Sequence, residues 1–171
     1  DPVANEVQIR MHEAGMCHSD YHLTTGATPI ALPALGGHEG AGVVTKVGKG
    51  VTSVEEGDHV ILAFIPACGS CPPCLKGLRS LCDRGAVLLG GKAIADGTNR
   101  VHAGSHEVSP MNLLGTFAPY MTVHEDSVVK IDSDVPFETA AIMGCAVPTG
   151  FVSATNVADV QPGETVAIIG V

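Results

Sequence analysis

The sequence predicts a mainly β, α+β fold: a twisted, largely antiparallel sheet domain with two late helices. Three observations carry that expectation. Short apolar runs recur, the first with strict two-residue alternation at Val7, Ile9 and Met11. Gly and Pro punctuate the runs closely. A segment with four cysteines shows no regular period at all and reads as a loop wrapped around something. With 171 residues, 45% of them hydrophobic, the chain is long enough to pack a sizeable core.

The elements follow in order. The alternating run at 7–11 is a half-buried strand leading into Gly15-Met16-Cys17. Residues 40–47 form a second strand, rich in Gly where a backbone bends or is closely approached. Turn residues fill 51–58, and 59–64 is a third strand. The cysteine loop occupies 68–82. Residues 83–115 are Gly-rich, with turns at Gly90-Gly91 and Asp96-Gly97; a stretch this long signals a functional excursion or short elements hidden in it. Two further strands are expected at 117–123 and 127–131. Asp134 is placed to cap a helix over 136–143, and 148–157 is a second helix. Residues 164–171 are an apolar strand reaching its first glycine, which is how a dinucleotide-binding unit opens. The expected division is therefore one domain over 1–163, carrying a cysteine lobe at 66–84, and the first strand of a truncated second domain at 164–171. The chain opens at Asp1-Pro2 without an initiating methionine, so both ends read as cut and the chain as a fragment.

Eighteen acidic and nine basic side chains give a formal charge of −9. No basic surface is available to displace counterions, which disfavours nucleic acid and anionic membrane as partners. No apolar run reaches the ~18 residues of a membrane span, and no secretory signal opens the chain. The expectation is a soluble, cytoplasmic protein.

Cys68-x2-Cys71-x2-Cys74-x7-Cys82 places four thiols within fifteen residues. A tetrahedral zinc ion takes four ligands about 2.3 Å away, and a short loop can supply all of them. Four thiolates leave no coordination position for water or substrate, so such a site is structural and its binding energy becomes folding energy. Disulfides require an oxidising compartment that nothing here supports, and an iron–sulfur cluster uses the same four ligands; closed structural zinc is the leading reading. Lys76, Arg79 and Arg84 are near enough in sequence to offset the excess negative charge.

The remaining cysteines, Cys17 and Cys145, are far apart, and His38 lies between them in Gly36-Gly37-His38-Glu39-Gly40-Ala41-Gly42. Taken singly, each has an ordinary explanation: a lone Cys in an apolar segment is usually core, and a lone His beside glycines a loop residue. Spacing alone does not bring them together.

A family resemblance does. Gly37-His38-Glu39-x2-Gly42, Val44-x2-Val47-Gly48, Gly57-Asp58-x-Val60, the four-cysteine lobe and Gly144-Cys145 occur in the order seen in zinc-dependent medium-chain alcohol dehydrogenases, and the resemblance covers essentially the whole chain. Leu114-Gly115-Thr116-Phe117 and the irregular 83–115 stretch resemble the longer alcohol and formaldehyde dehydrogenases of that group. Gly36 to Val44 and Val123-His124-Glu125-Asp126-Ser127 look most like the actinobacterial nitroso-aniline-dependent enzymes. The resemblance implies a GroES-like twisted β-barrel catalytic domain followed by a truncated Rossmann domain.

It also implies roles. Cys17, His38 and Cys145 would hold a catalytic zinc, two Cys and one His with an open fourth position being the ligand set of alcohol dehydrogenase, so that two zinc ions are expected per chain. Ser19 matches the hydroxyl that accepts the substrate proton, and His22 the imidazole that passes it outward. Asp20 matches the carboxylate that orients the histidine ligand, and Glu39 the carboxylate beside the metal. His18 matches a residue against the cofactor pyrophosphate, Thr149 one that packs on the nicotinamide of NAD, and His22 is counted with them among the cofactor-binding residues. Each has a plainer alternative: Ser19 and Asp20 as caps of a helix beginning after Cys17, His22 as a surface histidine, Glu39 as a structural carboxylate. Met16 and Met143 are better explained by core packing than by the metal, and the other histidines as surface or structural. Ala146 stands where relatives have Gly, and Pro148 where a small hydroxyl or other residue is common, which alters pocket shape more than metal binding. The expected activity is reversible oxidation of an alcohol to an aldehyde with hydride transfer to NAD, the fragment being inactive by itself and the whole protein a homo-oligomer. The alternatives are a thiol-dependent formaldehyde dehydrogenase and, from another class, a non-catalytic zinc-binding GroES-like module.

Overall fold

A computed structural model describes residues 1–169; Gly170 and Val171 lie outside the described residues. Among the described residues, eight strands form two sheets. The larger runs in the order β7-β1-β3-β4-β8, with β1 at Glu6–Gly15, β3 at Glu39–Val47, β4 at His59–Leu62, β7 at Tyr120–His124 and β8 at Val128–Lys130. Every ladder in it is antiparallel. The smaller sheet has the order β2-β6-β5, from Ala34–Leu35, His106–Pro110 and Val101–Ala103, and contains one short parallel contact between β2 and β6. The expected barrel is open: among the described residues no ladder joins the edge strands β7 and β8.

Alternation does what the sequence requires of it. Val7 and Ile9 are fully buried and join Val44, Val60, Leu62, Leu114, Met121, Val123 and Val128 in one core, with Met11 packed at its margin. The β1–β3 register slips between Gln8 and Ile9 and again between Met11 and Glu13. Such bulges bend and twist the strands, here just before the turn that carries Cys17.

The irregular excursion resolves into short elements. Three-ten turns at Asp83–Gly90 and Met111–Leu113 flank a β5–β6 hairpin closed at Ala103 and His106. Arg100 ties it to the core by donating to both carboxylate oxygens of fully buried Glu6, at 2.9 and 3.0 Å.

Among the described residues there are four α-helices, all short. Helix α1, His18–Thr25, follows Cys17 directly and ends at Gly26, whose φ of 75° closes the last turn. Helix α2, Pro72–Leu75, is a single turn inside the cysteine loop. Helix α3, Phe137–Ala141, begins from Pro136 and not from a side-chain cap, so Asp134 does not cap it: proline pre-sets the backbone, and Asp134 lies too far back to reach the first free N–H groups. Helix α4, Ala146–Val152, starts two residues earlier than expected and widens into a π turn over Ser153–Val157. Pro148 falls in its first turn, where a backbone N–H has no intrahelical acceptor to lose.

The strand expected at 164–171 is not formed over 164–169, which makes no ladder among the described residues and leaves Ile169 fully exposed. A buried parallel strand depends on neighbours to satisfy its backbone and cover its apolar faces. Among the described residues no single helix is long and apolar enough to cross a membrane.

Candidate metal centres

Residues 21 and 107 positions apart meet at one point for reasons of topology. Gly15, the last residue of β1, pairs with Glu39, the first of β3. Cys17 and His38 lie just beyond those ends and so stand beside each other. Cys145 arrives from the third direction, on the three-ten turn Ile142–Gly144 that follows α3. Gly144 is backed onto the Leu62 carbonyl at the end of β4, so that a side chain there has no room. The ligand atoms of Cys17, His38, Glu39 and Cys145 all lie within 4.8 Å of one another.

The surroundings suit a divalent cation. His38 and Glu39 are 1% and 2% exposed. His38 Nδ1 is buried without a hydrogen bond, 3.8 Å from Asp20 Oδ2. Among the described residues no Lys or Arg pairs with Asp20 or Glu39. Burial above all, with the Cys17 thiol and the Glu39 carboxylate beside it, pushes the Cys145 thiol up to about 11. A bound cation reverses that balance, because thiolate is the ligand form. Two thiols, one buried imidazole and a buried carboxylate without a counter-ion make a donor set that fits zinc.

Asp20 organises the site. Its Oδ2 accepts the Cys17 N–H at 2.9 Å, which starts α1, and its Oδ1 accepts the Gly37 N–H at 2.8 Å. One buried carboxylate thus grips the residue before His38 and the backbone of Cys17. The capping alternative holds for Asp20, which accepts the Cys17 N–H from the third helical position, and not for Ser19. Ser19 places its hydroxyl 3.8 Å from Cys17 Sγ, and Thr149 its hydroxyl 3.8 Å from Cys145 Sγ. His18 and His22 meet edge to face on the exposed side of α1, with ring centroids 4.7 Å apart. Ser19, His18, His22 and Thr149 therefore border the triad without joining the four-residue cluster. Met16 is 84% exposed and Met143 also protrudes, so core packing does not account for either. Two clefts reach the triad: one of about 440 Å³ passes Cys145 between Phe64, Pro148 and Thr149, and another of about 410 Å³ passes Cys17 between Met16, Tyr21 and Phe117.

The second centre is the lobe. The four Sγ atoms of Cys68, Cys71, Cys74 and Cys82 lie within 4.8 Å of one another, and all six cysteines are free, so the disulfide alternative is not realised. The Cys71 N–H donates to Cys68 Sγ at 3.4 Å and the Cys68 N–H to Cys82 Sγ at 3.5 Å. Hydrogen bonds from Ser70, backbone first and then hydroxyl, draw the Cys68 thiol down to about 6, while burial pushes Cys74 up to about 12. Both ends of the lobe are pinned by one residue. The Ala67 N–H donates to the Asp126 carbonyl at 3.0 Å, and the Asp126 carboxylate pairs with Arg84. Arg84 is thereby committed to Asp126 and does not serve the thiolates; Arg79 instead reaches the cleft beside Cys145. The double hold by Asp126 and the one by Asp20 on Gly37 have no spacing signature. His124, at the lobe's foot, is buried against Arg84, His12 stacks on Phe137 and His59 lies tilted against the same ring, so these three serve packing.

Comparison with known proteins gives a family. The model of the alcohol dehydrogenase GroES-like domain matches residues 3–133. Alcohol dehydrogenase B of Mycobacterium tuberculosis is 59% identical over 171 residues, an overlap of 99% of this chain and 46% of that protein. The NDMA-dependent alcohol dehydrogenase of Amycolatopsis methanolica is 46% identical, again over 99% of this chain and 46% of the relative. Among solved structures, an alcohol dehydrogenase zinc-binding domain protein from Burkholderia ambifaria superposes with a TM-score of 0.84 at 34% identity, covering 95% of this chain and 44% of its own. The chain spans about half the length of the curated relatives it matches.

Proposed function

Because the chain belongs to the family of alcohol dehydrogenase GroES-like domains, we propose that it is the catalytic-domain portion of a zinc-dependent alcohol dehydrogenase, oxidising alcohols to aldehydes reversibly with hydride passing to NAD. The observation that carries this reading is the meeting of Cys17, His38 and Cys145 beside Glu39, at the foot of two clefts. The set is open on the cleft side, unlike the closed cysteine lobe, and a scaffold has no use for that difference.

Zinc held by Cys17, His38 and Cys145 would supply the Lewis acidity that favours proton loss from an alcohol, and NAD would supply the hydride acceptor. The chain's own residues do the rest. Ser19, next to Cys17, takes the substrate proton, and exposed His22 releases it to solvent, a transfer an imidazole performs near neutral pH. Asp20 holds the backbone of Cys17 and Gly37 and faces His38 Nδ1. Glu39 keeps an oxygen donor beside the ligands. Thr149 and Pro148 form one wall of the Cys145 cleft, where the nicotinamide would lie against Thr149, with His18 turned to the pyrophosphate. The four-cysteine lobe holds the second zinc and fixes its loop. The partners are small alcohols or aldehydes and further copies of the same chain, and the setting is the cytoplasm.

The test is NADH formation from primary alcohols by the full-length protein that contains this chain and by its Ser19→Ala variant. The reading expects turnover in the parent and a loss of about 100-fold or more in the variant, with the zinc content of both unchanged. No alcohol oxidation, or a variant as fast as its parent, rejects it. A rate that requires added low-molecular-weight thiol moves the assignment to the formaldehyde-type activity.

A further inference from the structure

The segment after Gly115 runs directly against the residues that introduce His38. The Thr116 N–H donates to the Gly37 carbonyl at 3.0 Å, and the Phe117 N–H to the Gly36 carbonyl at 3.2 Å. Thr116 is 2% exposed. Its two branches face the two glycines that bracket His38 and Glu39: Oγ1 occupies the space a Cβ on Gly37 would need, and Cγ2 lies 3.1 Å from where a Cβ on Gly40 would be. The Phe117 ring lies as close, 2.8 Å from the same point on Gly37 and 3.2 Å from that on Gly36. Thr116 Oγ1 makes no hydrogen bond, so what that side chain contributes is shape.

On the far side, the Asp20 carboxylate accepts the Gly37 N–H. The Gly36–Gly37 pair is therefore clamped between a carboxylate and a two-residue strap. Gly37 has φ 91°, a conformation for which glycine is needed and in which a free chain would wander. The clamp removes that freedom one residue before the imidazole.

We propose that Thr116–Phe117 is a positioning strap for the open metal centre, setting His38 and Glu39 at the geometry a zinc ion requires without touching the metal. The strap reading rests on the assignment of Cys17, His38 and Cys145 as zinc ligands. Preorganisation of ligands lowers the cost of binding, so loosening the strap appears first as faster metal loss, before any loss of fold. Phe117 is suited to the test because it is 41% exposed and lies outside the main core cluster.

The experiment follows zinc release from the full-length holoprotein to a chromophoric chelator, comparing Phe117→Ala, Phe117→Tyr and the parent. The four-cysteine lobe serves as an internal control in the same molecule. Removal of the ring is expected to speed release from the open centre by roughly ten- to a hundredfold, the range found when supporting residues around a metal are lost, with the lobe unchanged and the tyrosine variant behaving like the parent. In the cobalt-substituted protein, Phe117→Ala is expected to shift the visible d–d bands and Phe117→Tyr is not. An unchanged release rate, or equal acceleration at both centres, overturns the strap. A parent protein holding zinc only in its lobe would overturn it too, together with the ligand assignment, and that failure is visible before any substitution is made.

Discussion

Gly15 and Glu39 face each other as register partners at the end of the β1–β3 ladder, and a Cβ on residue 15 would stand 2.6 Å from Glu39 Oε2. The pairing sets Cys17 beside His38, and the missing side chain leaves Glu39 room to lie against them. Gly144 plays the matching part for Cys145, but what it touches is the Leu62 backbone carbonyl.

Those two contacts predict a ranking. Gly144→Ala drives a methyl group into backbone that cannot swing aside, and is expected to cost about 1–3 kcal/mol of stability. Gly15→Ala meets the end of a side chain, so it costs less stability while displacing Glu39. Thermal unfolding is expected to place Gly144→Ala below Gly15→Ala and both below the parent. The reverse order would contradict the contacts.

Asp20→Asn keeps the size of the side chain but leaves one oxygen where two accepted backbone N–H groups. Either the start of α1 or the Gly37 bond must be given up. Affinity at the open centre is expected to fall by roughly ten- to a hundredfold, read by competition with a chelator of known affinity, and the lobe should bind as before.

Glu6 is fully buried and accepts hydrogen bonds from Arg100 and from the Val3 N–H at 3.1 Å. Neutralising Glu6 leaves Arg100 only the more exposed Asp96 carboxylate, at 2.9 Å, as a counter-charge and leaves the buried site without its own. Glu6→Gln is expected to lower the unfolding free energy by about 3 kcal/mol, measured by urea denaturation, and to loosen the β5–β6 hairpin that Arg100 anchors. A change within about 0.5 kcal/mol, the range of ordinary surface substitutions, would show that the pair does not hold the hairpin.

His124 is held below its ordinary value of 6.5, burial being the main cause and the nearby Arg84 adding to it, while Asp126 pulls the other way. For a histidine depressed in the folded state, the unfolded chain binds the proton first. The stabilising contribution is therefore complete above 6.5 and is lost as pH falls through the lower folded value. Between about pH 7.5 and about pH 5, the melting temperature of the parent is expected to fall more steeply than that of His124→Gln. Parallel slopes would contradict it.

How much of this was legible in the sequence differs by centre. The lobe was readable because Cys68, Cys71, Cys74 and Cys82 are local: a loop of that length brings its thiols together whatever surrounds it. Cys17, His38 and Cys145 carry no such signal singly, and only a resemblance to a family joined them; their convergence depends on the β1–β3 register and on how α3 packs. The long strands were readable because burial imposes alternation on Val7 and Ile9. The hold of Asp126 on both ends of the lobe and the seat of Phe117 on Gly36 were not, since such contacts leave no period and no spacing. The short hairpin in 83–115 was hidden for the same reason, and Met16 misled because an apolar residue beside a ligand need not face inward. At 164–169 an apolar run suggested a strand that has no neighbour to pair with among the described residues.

Under the proposed function, Cys17, His38 and Cys145 would hold one zinc ion in an open site and the four-cysteine lobe a second. The most direct measurement is metal content per chain by elemental mass spectrometry, on the parent and on Cys145→Ala. Two zinc ions in the parent and one in the variant, with the four-cysteine lobe still filled, is the predicted result. A parent that binds a single ion, or a variant that still binds two, would contradict it.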